Sequence, residues 1–223
     1  MPRRRRQVVA PRLPDEAGGP EKRRAILHAA VRVFARKGYH GCRIADVARQ
    51  AGVAYGLVYH YFRSKEELLE SVFAEQWAIF IQAIHAIREG PGSAAEHLAA
   101  VCRFGMDVFR TAPDAVRVLI LEVPRTPDGL RAGGTRRTFE AALRLIADEV
   151  RRGQEAGELR RGVDPLVAAA AILGSLELNL TAMVVGILAQ PAAAEEDLER
   201  ITRQVVEVAL GGVLPRGRGG TAG

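Results

Sequence analysis

From Glu21 onward, apolar residues recur at spacings of three and four: Ile26, Leu27, Ala30, Val33 and Phe34 form one stripe of an amphipathic helix. Lys37-Gly38 closes it, with a cation in the last turn and a glycine suited to a left-handed cap. Ile44 to Ala51 reads as a short second helix, Gly52-Val53 as a tight turn, and Tyr55 to Phe62 as a third helix. Ser64-Lys65-Glu66-Glu67 has the S-x-x-E form of a capping box and opens a long fourth helix to about Arg88. Gly90-Pro91-Gly92 breaks the chain, and Ser93-Ala94-Ala95-Glu96 is a second box that starts a helix to about Arg110. Pro113 and Pro124 bracket a short apolar helix, and Thr126 to Gly134 is a loop. Thr135 to about Ala156 is helical again. Asp164-Pro165 supplies a cap and a first-turn proline for a helix to about Leu188, and Pro191 opens a last helix ending near Gly211-Gly212. No segment alternates like a strand. The pattern predicts an all-α protein of about nine helices.

Residues 1–20 carry Arg3-Arg4-Arg5-Arg6, four prolines and a Gly-Gly pair with no hydrophobic period, which reads as a disordered arm. That arm either grazes the DNA backbone or minor groove or merely solubilises the chain. The expected organisation is this arm, a three-helix domain over 21–68, a longer helical domain over 69–212, and a disordered tail over 213–223. Charge sharpens the division. Residues 1–65 hold 15 Lys/Arg against 4 acids, a net +11, and the remainder holds 17 against 22, a net −5. Positive charge gathered at one end is what a phosphate-binding module needs.

The segment from Gly38 to Leu69 carries the chemistry. Two short helices joined at a glycine turn make a helix-turn-helix, with Ile44, Val47 and Ala48 packing inward against Val53, Val58 and Phe62. The second helix then presents Tyr55, Leu57, Tyr59 and His60, rings and small groups suited to a major groove. Lys65 falls in the first turn of the fourth helix, where its charge and the free backbone N–H groups suit a phosphate.

These residues resemble the TetR-type repressors: Gly38-Tyr39, Asp46-Val47-Ala48, Ala51-Gly52-Val53, Gly56, Tyr59, Tyr61-Phe62, Lys65 and Leu68 stand in the register of that family's motif. The resemblance implies that Tyr59, Tyr61 and Lys65 contact phosphates, that Tyr55, Leu57 and His60 touch bases or adjacent backbone, and that Gly56 permits close approach to DNA. Arg43 and Ala54 stand where the family carries hydroxyl caps, and each lost cap weakens its helix by about 1 kcal/mol. Arg43 is instead assigned as a contact to a phosphate or a guanine edge.

The second half resembles, more loosely, the branch of these repressors that senses long-chain acyl-CoA and represses fatty-acid degradation, in GVDPLVAAAAILGSLE among other stretches. That resemblance implies a ligand cavity for which Phe80, Ile84, Phe104, Val108, Ile120, Leu121, Leu176 and Leu180 are the expected wall; ordinary core is the competing account of each. Ala168 to Ala171, Gly174, Ser175, Leu178, Ala182 and Val185 on one helix, with Leu198, Ile201, Val205, Val206 and Leu210 on the next, suggest a four-helix dimer interface. A homodimer sets two recognition helices on successive major grooves of a palindromic operator.

Other classes fit less well. No Glu-x-x-His pair, phosphate loop, G-x-S-x-G or Cys/His ligand spacing occurs, so neither catalysis, a metal site nor a cofactor is expected. His85 and His97 read as surface or satisfied core groups. A DNA-condensing protein would explain the arginine arm but not the apolar second half. Pro165 to Leu188 is long enough to span a bilayer, but Glu177 and Asn179 near its middle favour a helix buried in a core or between subunits. Two isolated cysteines and no signal peptide point to a reducing cytoplasm. The ligand left open beside acyl-CoA is an apolar or cationic drug, as for a multidrug-type repressor of an efflux gene.

Overall fold

The computed structural model describes residues 19–122, 133–188 and 194–215. Arg3 to Arg6, Pro124, Pro191 and most of the expected 126–134 loop lie outside them. Among the described residues every regular element is helical: α1 (Gly19–Gly41), α2 (Ile44–Ala51), α3 (Tyr55–Tyr61), α4 (Lys65–Glu89), α5 (Ala94–Thr111), α6 (Pro113–Arg117), α7 (Gly133–Glu155), α8 (Pro165–Val184) and α9 (Glu195–Gly211). After α6 the chain continues as a wide π-helical turn, Val118–Glu122.

Most predicted boundaries fall within a turn of the observed ones, and the exceptions have local causes. The first helix begins at Gly19, inside the expected arm. Its hydrogen-bonding pattern continues to Gly41, but Gly38 at φ 69° and ψ 162° breaks it where a terminus was expected. Helix α8 stops at Val184 rather than Leu188. Gly186 takes φ 77°, its N–H donates to the Met183 carbonyl at 3.0 Å, and the Ile187 N–H donates to Ala182 at 2.7 Å. That is a Schellman ending, closed on the left-handed glycine. Helix α9 starts at Glu195. Val213, expected in the tail, is buried and accepts the Arg160 N–H at 2.9 Å. The box at Ser64 is also shifted by one residue. Ser64 Oγ accepts the Glu67 N–H at 3.1 Å, but the Glu67 carboxylate accepts from Arg63 N at 2.7 Å rather than from Ser64.

Two separate hydrophobic cores organise the chain. The first gathers the inner stripes of α1, α2 and α3 and draws in Leu68, Leu69, Val72 and Phe73 of α4 and Val118 of the π-turn. The second is built from α5, α7, α8 and α9, with Ile84 from the far end of α4. Helix α4 and the π-turn therefore belong to both cores. In the second, Glu149 is 2% exposed yet satisfied: His97 Nδ1 lies 2.8 Å from one oxygen, Arg88 Nε donates to the other at 3.0 Å, and Arg152 pairs with both. His97, expected to be a satisfied or surface group, is buried with its Nε2 unpartnered.

The interface expected on α8 and α9 needs partial correction. Ala168, Ala169, Ile201, Val205 and Leu210 are buried within the chain's own core, so two of the nine positions of the first predicted stripe and three of the five of the second are already used. The predicted Leu178 (71% exposed) and Val185 remain bare, as do Leu166, Val167 and Ile187 on or just after α8 and Val208 (76%) on α9. Helix α8 is long and apolar enough to cross a membrane, but the Asn179 amide is satisfied by the Ser175 carbonyl at 2.7 Å and Glu177 sits at its middle.

Candidate functional site

The recognition unit is held from below by α1. Val58 and Phe62 of α3 are buried against α1 and α2, which leaves the opposite side of α3 bare. Tyr55 (54% exposed), Gly56, Tyr59 (42%) and His60 stand on that side, and Leu57 is half-buried at its edge. The Tyr55 and Tyr59 rings meet edge to face at 5.2 Å with their hydroxyls 3.3 Å apart, so the pair presents two phenols as one polar ridge. A Cβ on Gly56 would meet nothing within 4 Å, so any requirement for glycine comes from what docks there. The half-buried Tyr61 ring lies edge to face with His60.

Arg43 occupies the cap position of α2 in extended conformation, and its guanidinium, having no acceptor atom, cannot cap the helix. Asp46 supplies the reciprocal bond, accepting Arg43 N–H at 3.1 Å, and is itself held by Lys37 at 2.9 Å. Those contacts, the Lys37 bond foremost, keep its carboxyl below the usual range. The Arg43 side chain is exposed to solvent.

Lys65 is placed differently from the expectation. Its ammonium donates to the carbonyls of Tyr39 at 2.8 Å and Cys42 at 3.1 Å, and lies 4.3 Å from the Tyr39 ring centroid. Two of its three donors are thus spent clasping the end of α1 to the start of α4, leaving one for a phosphate. The Tyr39 hydroxyl completes the clasp by donating to Glu66 at 2.6 Å.

A cavity of about 160 Å³ lies between α4, α5, α7, α8 and the π-turn. Six of the eight expected wall residues line it: Phe80, Phe104, Val108, Ile120, Leu176 and Leu180. The other two do not. Ile84, one turn beyond Phe80, is 1% exposed in solid core, and Leu121 points away because the π-turn gives the wall positions to Leu119 and Ile120. The sequence reading missed three of the five lining rings, Phe73, Trp77 and Phe139. Trp77 stands 5.6 Å from both Phe73 and Phe80 and 5.5 Å from Phe139, and Phe80 stacks on Phe104 at 6.1 Å. The four-then-three spacing of Phe73, Trp77 and Phe80 carried that signal; nothing local marked Phe139. Gln76 and Glu177 are the polar groups at its edge.

Comparison with known proteins agrees with this arrangement. Residues 26–72 match the profile of bacterial regulatory proteins of the tetR family, and residues 95–209 match the tetracyclin repressor-like C-terminal domain. The chain is 28% identical over 188 residues to the fatty acid metabolism regulator protein of Bacillus subtilis (strain 168), covering 84% of this chain and 93% of that protein. Among solved structures, the transcriptional regulator FadR from Bacillus subtilis in complex with stearoyl-CoA superposes with a TM-score of 0.74 at 28% identity, covering 85% of this chain and 98% of that one. The fatty acid degradation regulator FadR from Bacillus halodurans gives 0.76 at 28% identity, covering 86% and 95%.

Proposed function

The chain belongs to the TetR family of bacterial regulatory proteins, and we propose that it is a homodimeric repressor that leaves its operator when a long-chain acyl-CoA enters the aromatic cavity. It is a DNA-binding transcriptional regulator rather than an enzyme. The observation that carries the finer reading is the cavity itself: an apolar, ring-lined space whose walls include the π-turn that also reaches the N-terminal core. The likeness to regulators of fatty-acid metabolism, which runs through most of both chains, supports the ligand class.

Dimerisation through the bare face of α8 and α9 would bury Leu178, Ile187 and Val208, an apolar area that a monomer would otherwise leave in water. The two ridges of Tyr55 and Tyr59 would then read successive major grooves. A ligand releases the DNA only by as much as it prefers the dimer with the wrong spacing. Helix α4, clasped at Lys65, is the lever.

A second reading has its own support. Glu177 beside Trp77 and four phenylalanines suits an aromatic cation, as for a drug-responsive repressor. Titrating acyl-CoAs and cationic dyes into the operator complex decides between them. Release by palmitoyl-CoA and not by a dye supports the fatty-acid reading, and the reverse overturns it.

A further inference from the structure

A second hollow borders the aromatic cavity. It is an open groove of about 600 Å³ between α5, the end of α8 and α9, and Phe104 is the single residue lining both spaces. The two differ in chemistry. Around the aromatic cavity, no lining residue among the described ones is a cation and Glu177 is a carboxylate, so an anionic head would be repelled there. The groove has a floor of Met106, Phe109, Leu198 and Val206 under a rim that carries Arg103, Arg110 and Arg203. Arg110 is engaged by Asp107 at 2.8 Å and Glu195 at 3.7 Å. Arg103 and Arg203 have no ion pair among the described residues, whereas Asp107 and Glu195 share Arg110, so of the three guanidiniums that face three carboxylates on this rim these two are unengaged.

The two spaces also differ in size. A cavity of about 150 Å³ takes one benzene, so the aromatic cavity holds about six carbon-sized groups, far fewer than a long acyl chain contains. The remainder needs apolar surface that is continuous with it, and the groove floor begins at the other side of Phe104. Dimerisation through Val208 leaves the groove open, because Val206 and Val208 point about 200° apart around α9.

We propose that the groove is the head subsite of the ligand: Arg103 and Arg203 receive the phosphate-bearing head of an acyl thioester, and Phe104 is the gate its chain turns aside to enter the aromatic cavity. This rests on the acyl-CoA reading. Guanidinium forks match phosphate oxygens, which is why two arginines rather than a general positive field suffice.

Trp77 is the only tryptophan of the chain and lines the cavity, so its emission reports chain entry in the full-length protein. Three probes are titrated: butanoyl-CoA, palmitoyl-CoA and palmitoyl-pantetheine, which lacks the phosphates. The variant Arg103→Ala/Arg203→Ala should weaken palmitoyl-CoA by about tenfold and leave palmitoyl-pantetheine within about twofold. Phe104→Ala should raise the preference for palmitoyl-CoA over butanoyl-CoA several-fold, and the bulkier Phe104→Trp, whose titration is followed by calorimetry, should lower it. Thermal melting of each variant reports folding. An unchanged affinity in the arginine variant, or a chain-length preference that neither Phe104 variant moves, overturns the proposal alone. Failure of the parent protein to bind any of the three sinks the acyl-CoA reading and this inference together.

Discussion

The carboxylate of Glu122 accepts a hydrogen bond from the backbone N–H of Tyr39 at 2.7 Å, tying the last turn of the π-helical segment to the break in α1. The left-handed Gly38 makes this possible, because its positive φ turns the next N–H out of the helix. On the same five-residue segment, Val118 is buried in the N-terminal core and Leu119 and Ile120 line the cavity. Glu122→Ala leaves a partly buried donor without a partner and should lower stability by about 1–3 kcal/mol. Glu122→Gln keeps an acceptor and should lose less. Chemical denaturation of the three proteins checks this, and equal losses would show that the bond is immaterial.

On the reading face, Gly56→Ala separates folding from DNA binding. The added methyl meets open space and a helix-interior glycine is replaced by the best helix former, so the melting temperature should rise, by up to about 1 kcal/mol of stability. Operator affinity should fall if the helix backbone approaches DNA there. Tyr59→Ala should weaken operator binding by roughly tenfold without altering the oligomer. A gel-shift titration beside sedimentation analysis measures both, and a Tyr59→Ala protein that binds like the parent would remove the ridge from the interface.

Gly153 in α7 is the opposite case. A Cβ there would sit 2.6 Å from the Ala94 Cβ and 2.7 Å from Leu159, and Ala94 has no flexible end to give way. Gly153→Ala should therefore destabilise by about 1–3 kcal/mol despite its better helix propensity. A thermal melt at or above the parent value contradicts the close packing of α5 on α7.

Glu149 sets an acid limit to stability. Burial disfavours its charge, but bonds from Arg152, His97 and Arg88 outweigh that and hold its carboxyl below the usual range. The folded state therefore keeps the group ionised to lower pH than the unfolded chain does. Its contribution is complete above the unfolded carboxyl value of about 4.3 and is lost as pH falls through the lower folded value. Glu149→Gln should be destabilised at neutral pH by about 3 kcal/mol, the low end for a broken buried pair, since Arg88 and Arg152 reach water. Its stability should also fall less steeply than the parent's below pH of about 4. Parallel pH profiles would rule the network out as the cause.

Leu178→Glu tests the bare face of α8. A carboxylate set in a two-fold interface meets its symmetry mate, so sedimentation should show monomer and operator affinity should collapse. A dimer that survives places the interface elsewhere.

What the sequence determined by itself was local. Helix periods, the Ser93 cap, the Gly52 turn and the three-helix reading unit are each encoded within a few residues, because hydrogen-bond capping and helical spacing act over one or two turns. Tyr55, Tyr59 and His60 could be placed on an outer face for the same reason: Val58 and Phe62 fix the inner one. Which apolar residue faces a cavity was not local. Phe80 and Ile84 lie one turn apart on one stripe, and only the approach of α5, α7 and α8 makes the first a wall and the second core. The same holds for Lys65, whose ammonium is captured by carbonyls more than twenty residues away, and for Glu149, whose partners Arg88 and His97 come from two other helices. Tertiary structure decided these because each depends on distances between elements that the chain's own periodicity does not specify.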